Sequence, residues 1–176
     1  MKILIIGDTH AQDDLFLKIL AIERGKMGSE EGSEDRSFDV LLHTGDFEGS
    51  ELVYRELSGV PFYYVAGNND FFTDAPYERV IELDSCRIFM AHGHRHNAFE
   101  GTDGILKAAA AKKAQIAVYG HSHSPVAEYR DGILILNPGS PAWPRQDGNM
   151  PSYILLELEN GKVKSFEIRY FDSDPL

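Results

Sequence analysis

Seven residues of metal-binding type recur beside glycines at the ends of short aliphatic runs: Asp8, His10, Asp46, Asn68, His92, His121 and His123. Carboxylate, carboxamide and imidazole groups all ligate first-row divalent metals. The runs that precede them are Ile3 to Ile6, Val40 to Leu42, Phe62 to Ala66, Ile88 to Ala91 and Ile116 to Tyr119. In an α/β sheet the C-terminal ends of the strands gather at one edge, and ligands bind there. Seven ligands brought together in that way suffice for two cations with one carboxylate shared. Asp8 and Asp46 are the only anions of the set, so two divalent cations leave the site at about +2, or +1 with a bridging hydroxide. Residual positive charge suits a phosphate ester. Taken singly, each motif has a plainer explanation: Gly67-Asn68-Asn69-Asp70 reads as a turn, and Gly45-Asp46 as a helix entry. Their joint occurrence, each time at the end of a buried run, is what points to a site.

The elements that must position these groups are legible in outline. Continuous apolar runs of three to five residues suit strands covered on both faces. Ile133 to Leu136, running into Asn137-Pro138-Gly139-Ser140, is another. Between the early strands, Asp13 to Glu23 places Leu15, Phe16, Ile19, Leu20 and Ile22 on one helical face. Ser50 to Leu57 reads as a shorter helix with Ser50 as N-cap, and Gly104 to Ala114 as an alanine-rich helix. The last third differs. Asp131-Gly132 and Asn160-Gly161 are primed hairpin turns, joining Val126–Arg130 to Ile133–Leu136 and Tyr153–Leu158 to Val163–Tyr170. A βαβ first half and an antiparallel last third predict two mixed sheets in a single α/β domain over residues 1–176. The polar, glycine-rich segment 25–37 is expected to be a mobile surface loop.

Composition narrows the function classes. The chain has 176 residues, 43% of them apolar and 26% charged, which is ordinary for a globular protein. Its formal net charge of -11 disfavours long nucleic acid and anionic membranes. No apolar run approaches a membrane span of about 18 residues, and the run after Met1-Lys2 is too short for a signal peptide, so a cytoplasmic location is expected. The single cysteine, Cys86, cannot form an intrachain disulfide and is expected to be a small buried hydrophobe.

As a set, Gly7-Asp8-x-His10, Gly45-Asp46, Gly67-Asn68-x-Asp70, His92-Gly93-His94 and Gly120-His121-x-His123 resemble the motifs of the calcineurin-like metallophosphoesterases. The stretch Asn137-Pro138-Gly139-Ser140 with Pro144-Arg145 is similar to the small bacterial and archaeal phosphodiesterase branch. This resemblance implies a four-layer αββα sandwich with a dinuclear metal centre. It implies Asp8, His10, Asp46 and His123 on one ion and Asp46, Asn68, His92 and His121 on the other, with Asp46 bridging. Manganese is the family's frequent metal; iron, nickel and zinc also serve. Many members carry a histidine general acid after the motif asparagine. That position is Asn69 here, followed by Asp70. Asn69 and His94 are therefore the candidate catalytic and substrate-contacting residues.

The expected function is hydrolysis of a small or exposed phosphodiester by a hydroxide bridging two divalent metals. The alternatives are a non-catalytic scaffold of the same fold, and a phosphomonoesterase or nuclease of the same family. Exposed sheet edges allow a homo-oligomer. His43 is expected to be a packed or surface histidine. Trp143 and Arg145 are assigned either to a substrate rim or to shaping the loop beside the metals. Phe62, Tyr63 and Tyr64 are expected to be core and sheet surface rather than a stacking platform.

Overall fold

A computed structural model describes residues 1–25 and 38–172. The predicted mobile loop lies outside the described residues except for Gly25. Among the described residues, ten strands form two five-stranded sheets. The first has the order β10 (Lys162–Tyr170), β9 (Ser152–Glu159), β1 (Lys2–Ile6), β2 (Val40–His43), β3 (Phe62–Tyr64). The second has the order β4 (Glu78–Leu83), β5 (Cys86–Ala91), β6 (Ile116–Val118), β8 (Ile133–Asn137), β7 (Val126–Arg130). Each sheet has a parallel centre, β1–β2–β3 and β5–β6–β8, with antiparallel strands added outside it.

The sequence explains the layering. Along β1, Ile3 and Ile5 face the second sheet and pack with Ile88, Met90, Ile116 and Val118, while Leu4 and Ile6 face the helices. Helices α1 (Asp13–Arg24) and α2 (Glu51–Ser58) cover that outer face through Phe16, Ile19, Leu20 and Tyr54. Helix α3 (Asp103–Ala111) covers the other sheet, setting Ile105 and Ala109 on Phe89, Ala117 and Ile135. Helix, sheet, sheet and helix layers follow, so the strands read as unbroken apolar runs because both faces are buried. Cys86 is buried in the intersheet core. Tyr63 joins that core, and Phe62 and Tyr64 pack under the helices.

Several boundaries differ from the sequence expectation. The third helix starts at Asp103 and stops at Ala111, and left-handed Lys113 turns the chain away. Ser50 occupies the N-cap of α2 without a side-chain capping bond. Strand β4 has no counterpart in the sequence reading. Its alternation buries only Ile81 and Leu83, and its hairpin to β5 turns on Asp84 and Ser85, both left-handed without a glycine. The two glycine-marked hairpins form as expected, with Asp131, Gly132, Asn160 and Gly161 all at positive φ.

Candidate metal centre

The loops that leave the parallel strands of both sheets meet at one edge. Asp8, after β1, accepts the backbone N–H of His121, after β6, at 3.0 Å. His92, after β5, reaches the other way: its Nδ1 donates to the carbonyl of Thr44, after β2, at 2.8 Å. The site therefore spans the two sheets, and neither could build it alone.

Five of the seven predicted ligands hold a left-handed backbone: Asp8, His10, Asp46, His121 and His123 have φ between 47 and 70°. Such residues cost of order 1–3 kcal/mol each and persist only where the surroundings impose them. Gly45 makes one of these turns feasible. At φ 103° it adopts a conformation few side chains tolerate, and a Cβ there would stand 2.7 Å from the backbone nitrogen of Gly67. Gly67 allows a second close approach, since its Cβ would fall 2.0 Å from Asp46 Oδ1.

Three imidazoles have their Nδ1–H committed outward. His10 donates to Glu48 Oε1 at 2.7 Å, His92 to the Thr44 carbonyl, and His123 to the Trp143 carbonyl at 2.9 Å. A histidine with Nδ1 so occupied presents the Nε2 lone pair, the arrangement that supports metal-ligating histidines. Those lone pairs converge. His10 Nε2 and His123 Nε2 are 3.3 Å apart, and His123 Nε2 is 3.2 Å from Asp8 Oδ1. His92 Nε2 stands 3.1 Å from Asn68 Oδ1 and 3.5 Å from Asp46 Oδ2. Acceptors turned on acceptors at these distances repel unless a proton or cation lies among them. The donor set thus fits a divalent cation on its chemistry. One ligand atom from each of Asp8, His10, Asp46 and His123 lies within 4.8 Å of the others, and all four residues are buried. Around His92, the carboxamide of Asn68 and the carboxylate of Asp46 are in reach, and the His121 ring stands 5.0 Å away, centroid to centroid.

Electrostatics follow the same lines. Burial pushes the Asp8 carboxyl up, but His92, His123 and the His121 N–H outweigh it and hold Asp8 below its ordinary range. Burial pulls His123 down, and the Asp8 carboxylate more than reverses it. Burial, then neighbouring His92, lowers His121 to about 4. His94 is half-buried beside His92 and is lowered by burial, then by His92 and Arg95.

Asn69 is placed on Asp46. Its backbone N–H donates to Oδ1 at 2.9 Å and its side-chain amide to Oδ2 at 2.8 Å, so both donors orient that carboxylate. Trp143 stacks on His10 with centroids 3.9 Å apart, besides anchoring His123. Ser140 Oγ donates to the Asp8 carbonyl and accepts the N–H of Trp143, so the 137–145 loop shapes the site from behind.

His43 is packed, not surface. Its Nδ1 accepts the Gly45 N–H at 3.2 Å, Nε2 faces Thr9 Oγ1 at 3.2 Å, and burial lowers it to about 3. The unfolded chain binds a proton at His43 near pH 6.5, and the folded chain refuses it until about pH 3. Stability from this group is therefore full above pH 6.5 and falls on acidification, by up to ~1.4 kcal/mol per pH unit. Its NMR resonances are expected to stay neutral at pH 5; titration near pH 6.5 would contradict this environment.

Two supports escaped the sequence reading. Glu48 fixes the His10 ring, and Asp70 accepts the backbone N–H groups of Asp46, Phe47, Glu48 and Gly67 at 2.7–3.0 Å. The Asp70 position in the Gly-Asn-x-Asp series was visible; its task was not.

A two-sheet sandwich with an aspartate–histidine cluster at the strand ends is the architecture of a metallophosphoesterase. Residues 1–161 match the calcineurin-like phosphoesterase superfamily domain, and the chain belongs to that family. It is 30% identical over 172 residues to the probable metallophosphoesterase YsnB of Bacillus subtilis, covering 98% of this chain and 91% of that protein. It is 28% identical over 155 residues to a phosphodiesterase of Methanocaldococcus jannaschii, covering 79% and 83% of the two. Among solved structures, a predicted phosphoesterase from Streptococcus pneumoniae superposes with a TM-score of 0.75 at 27% identity, over 96% of this chain and 87% of the other. Vps29 of Entamoeba histolytica, solved with zinc, shares the fold at a TM-score of 0.72 and 22% identity, over 98% and 99%. No helix among the described residues is long and apolar enough to cross a membrane.

Proposed function

We propose that this protein is a phosphodiesterase that works with two divalent cations, manganese by preference, on a small or exposed diester. The reading rests on the convergence of imidazole lone pairs and carboxylate oxygens at distances that call for a proton or a cation between them, in a donor set that suits a divalent metal. Asp8, His10, Asp46 and His123 would hold one ion, and Asp46, Asn68, His92 and His121 the other. Asp46 Oδ2 lies between His10 and His92, at 3.9 and 3.5 Å, the position a shared carboxylate requires. When bound, such a pair supplies an oxygen nucleophile at neutral pH and offsets charge on the phosphoryl oxygens.

The chain's own residues account for the rest. Glu48 and the carbonyls of Thr44 and Trp143 hold three rings in one tautomer, so no reorganisation is needed during reaction. Asn69 keeps Asp46 turned inward. His94, neutral at pH 7 through its lowered pKa, donates a hydrogen bond to a phosphate or departing oxygen but is a poor reservoir of protons.

Hydrolysis of bis(p-nitrophenyl) phosphate, with and without chelator, tests the reading. Activity should vanish on chelation and return with manganese. Because no strong acid assists departure, an aryl diester should outpace a dialkyl one by about 10²-fold or more in kcat/KM. A chelator-resistant rate, or none on any diester with metal restored, would refute the proposal, and the latter would favour a scaffold of this fold.

A further inference from the structure

Beside Asn68 and His94 the candidate centre opens into a cavity of about 420 Å³. Tyr77, Arg95, Phe71 and Asp74 contribute to its lining. None of them belongs to the proposed ligand set. Arg95 is exposed, yet it is not loose: its Cζ lies 3.4 Å from the centroid of the Tyr77 ring. Tyr77 in turn meets His94 edge-on at 5.9 Å, which ties the pair to the centre. Arg95 makes no ion pair among the described residues, in a chain with 28 acidic residues to pair with. Tyr77 and Phe71 remain 46% and 77% exposed, a cost that water exacts on aromatic surface and that a bound ring would relieve.

The chemistry of the lining restricts what can enter. A guanidinium plane held on a ring offers a stacking surface to another planar group. Arg95 supplies hydrogen-bond donors and Asp74 an acceptor, so the occupant carries both kinds of polar edge. A second phosphate at this wall would meet the Asp74 carboxylate; the other acidic residue of the lining, Asp70, has its oxygens engaged by four backbone N–H groups. An alkyl or glycerol arm would leave the stacking surface and both polar groups without use. A nucleobase satisfies all of them, and the volume is within the range of small-ligand pockets.

We infer that this cavity is a nucleoside subsite: one arm of the diester carries a base that stacks on the Arg95–Tyr77 pair while the phosphate sits at the metals. The substrate class is then a dinucleoside or short oligonucleotide diester. The inference rests on the phosphodiesterase reading above and adds the identity of the ester arm.

The test compares kcat/KM for a dinucleoside monophosphate and for the same diester with one abasic arm, using the manganese-loaded protein. The base-bearing substrate should be favoured by about tenfold or more, the scale of one base stacked on a side chain. Arg95→Ala and Tyr77→Ala should each shrink that ratio by about tenfold. Arg87→Ala, a surface arginine paired with Glu82, should leave it unchanged. Equal rates on the two substrates with the wild type would overturn the subsite while leaving the hydrolase intact. If neither diester is cleaved, the hydrolase reading is decided by the aryl diester, and calorimetric binding of the dinucleoside decides the subsite separately. Affinity about tenfold weaker in Arg95→Ala would uphold it; equal affinity in both proteins would overturn it.

Discussion

Asp46→Asn is expected to cut phosphodiester hydrolysis by at least ~10²–10³-fold and to lower bound metal below two ions per chain. The substitution is a clean one. Asparagine tolerates the left-handed backbone, φ 56°, that Asp46 adopts, so the turn after β2 survives. One side-chain oxygen remains to accept from Asn69. What disappears is a negative charge between His10 and His92, and an NH₂ group faces lone pairs where an anion stood. Two buried carboxylates carry the proposed centre, so removing one halves the charge that holds the cations. The metal-free variant should melt within a few degrees of the metal-free wild type, because the bond lost from Asn69 is offset by relief of the repulsion between Asp46 and the Asp8 carboxylate within 4.8 Å. Elemental analysis that still finds two tightly held ions per chain would remove Asp46 from the shared position.

The parts of the fold that the sequence announced are those with a local signature. β1, β2, β5 and β8 are buried along nearly their whole length, and continuous aliphatic runs say so. The candidate ligands were visible for a related reason: polar residues beside glycines at the end of a buried strand have little to do in a core. β4 escaped because its neighbours in sequence alternate in exposure and its turn uses no glycine. The supports of the site escaped for a different cause. The acceptors for His92 and His123 are backbone carbonyls, 48 and 20 positions away, and every residue has a carbonyl. The Glu48 and Asp70 carboxylates look, in sequence, like any other acidic residue of a chain with 28. Only the folded backbone tells that one aims at a ring and the other at a ring of N–H groups. Asn69 shows the same limit. Its place in the motif suggested a direct part in chemistry; that its backbone N–H and one side-chain N–H also hold Asp46 is legible only in the fold.

Asp70→Ala should then be the most damaging substitution outside the proposed ligands. A half-buried carboxylate collects the N–H groups of Asp46, Phe47 and Glu48 from one loop and of Gly67 from another, at 2.7, 3.0, 2.7 and 2.8 Å. It locks the loop that carries Asp46 and Glu48 to the loop that carries Asn68 and Asn69. Without it these donors lose their partner at once. Water can reach some of them, so the loss is smaller than four fully buried defects, of order 2–4 kcal/mol. For a chain of this size that corresponds to a fall of roughly 5–15 °C in Tm. Asp70→Asn should recover little, since its NH₂ would face N–H donors. The effect on the site is indirect and has its own signature. Asp46, Glu48 and Asn68 keep their chemistry but lose their fixed spacing, so metal affinity should drop about 10–100-fold. Excess manganese should restore most of kcat in Asp70→Ala and little in Asp46→Asn. Equal resistance to rescue in the two variants would mean that Asp70 acts on the reaction itself and not through the position of its neighbours.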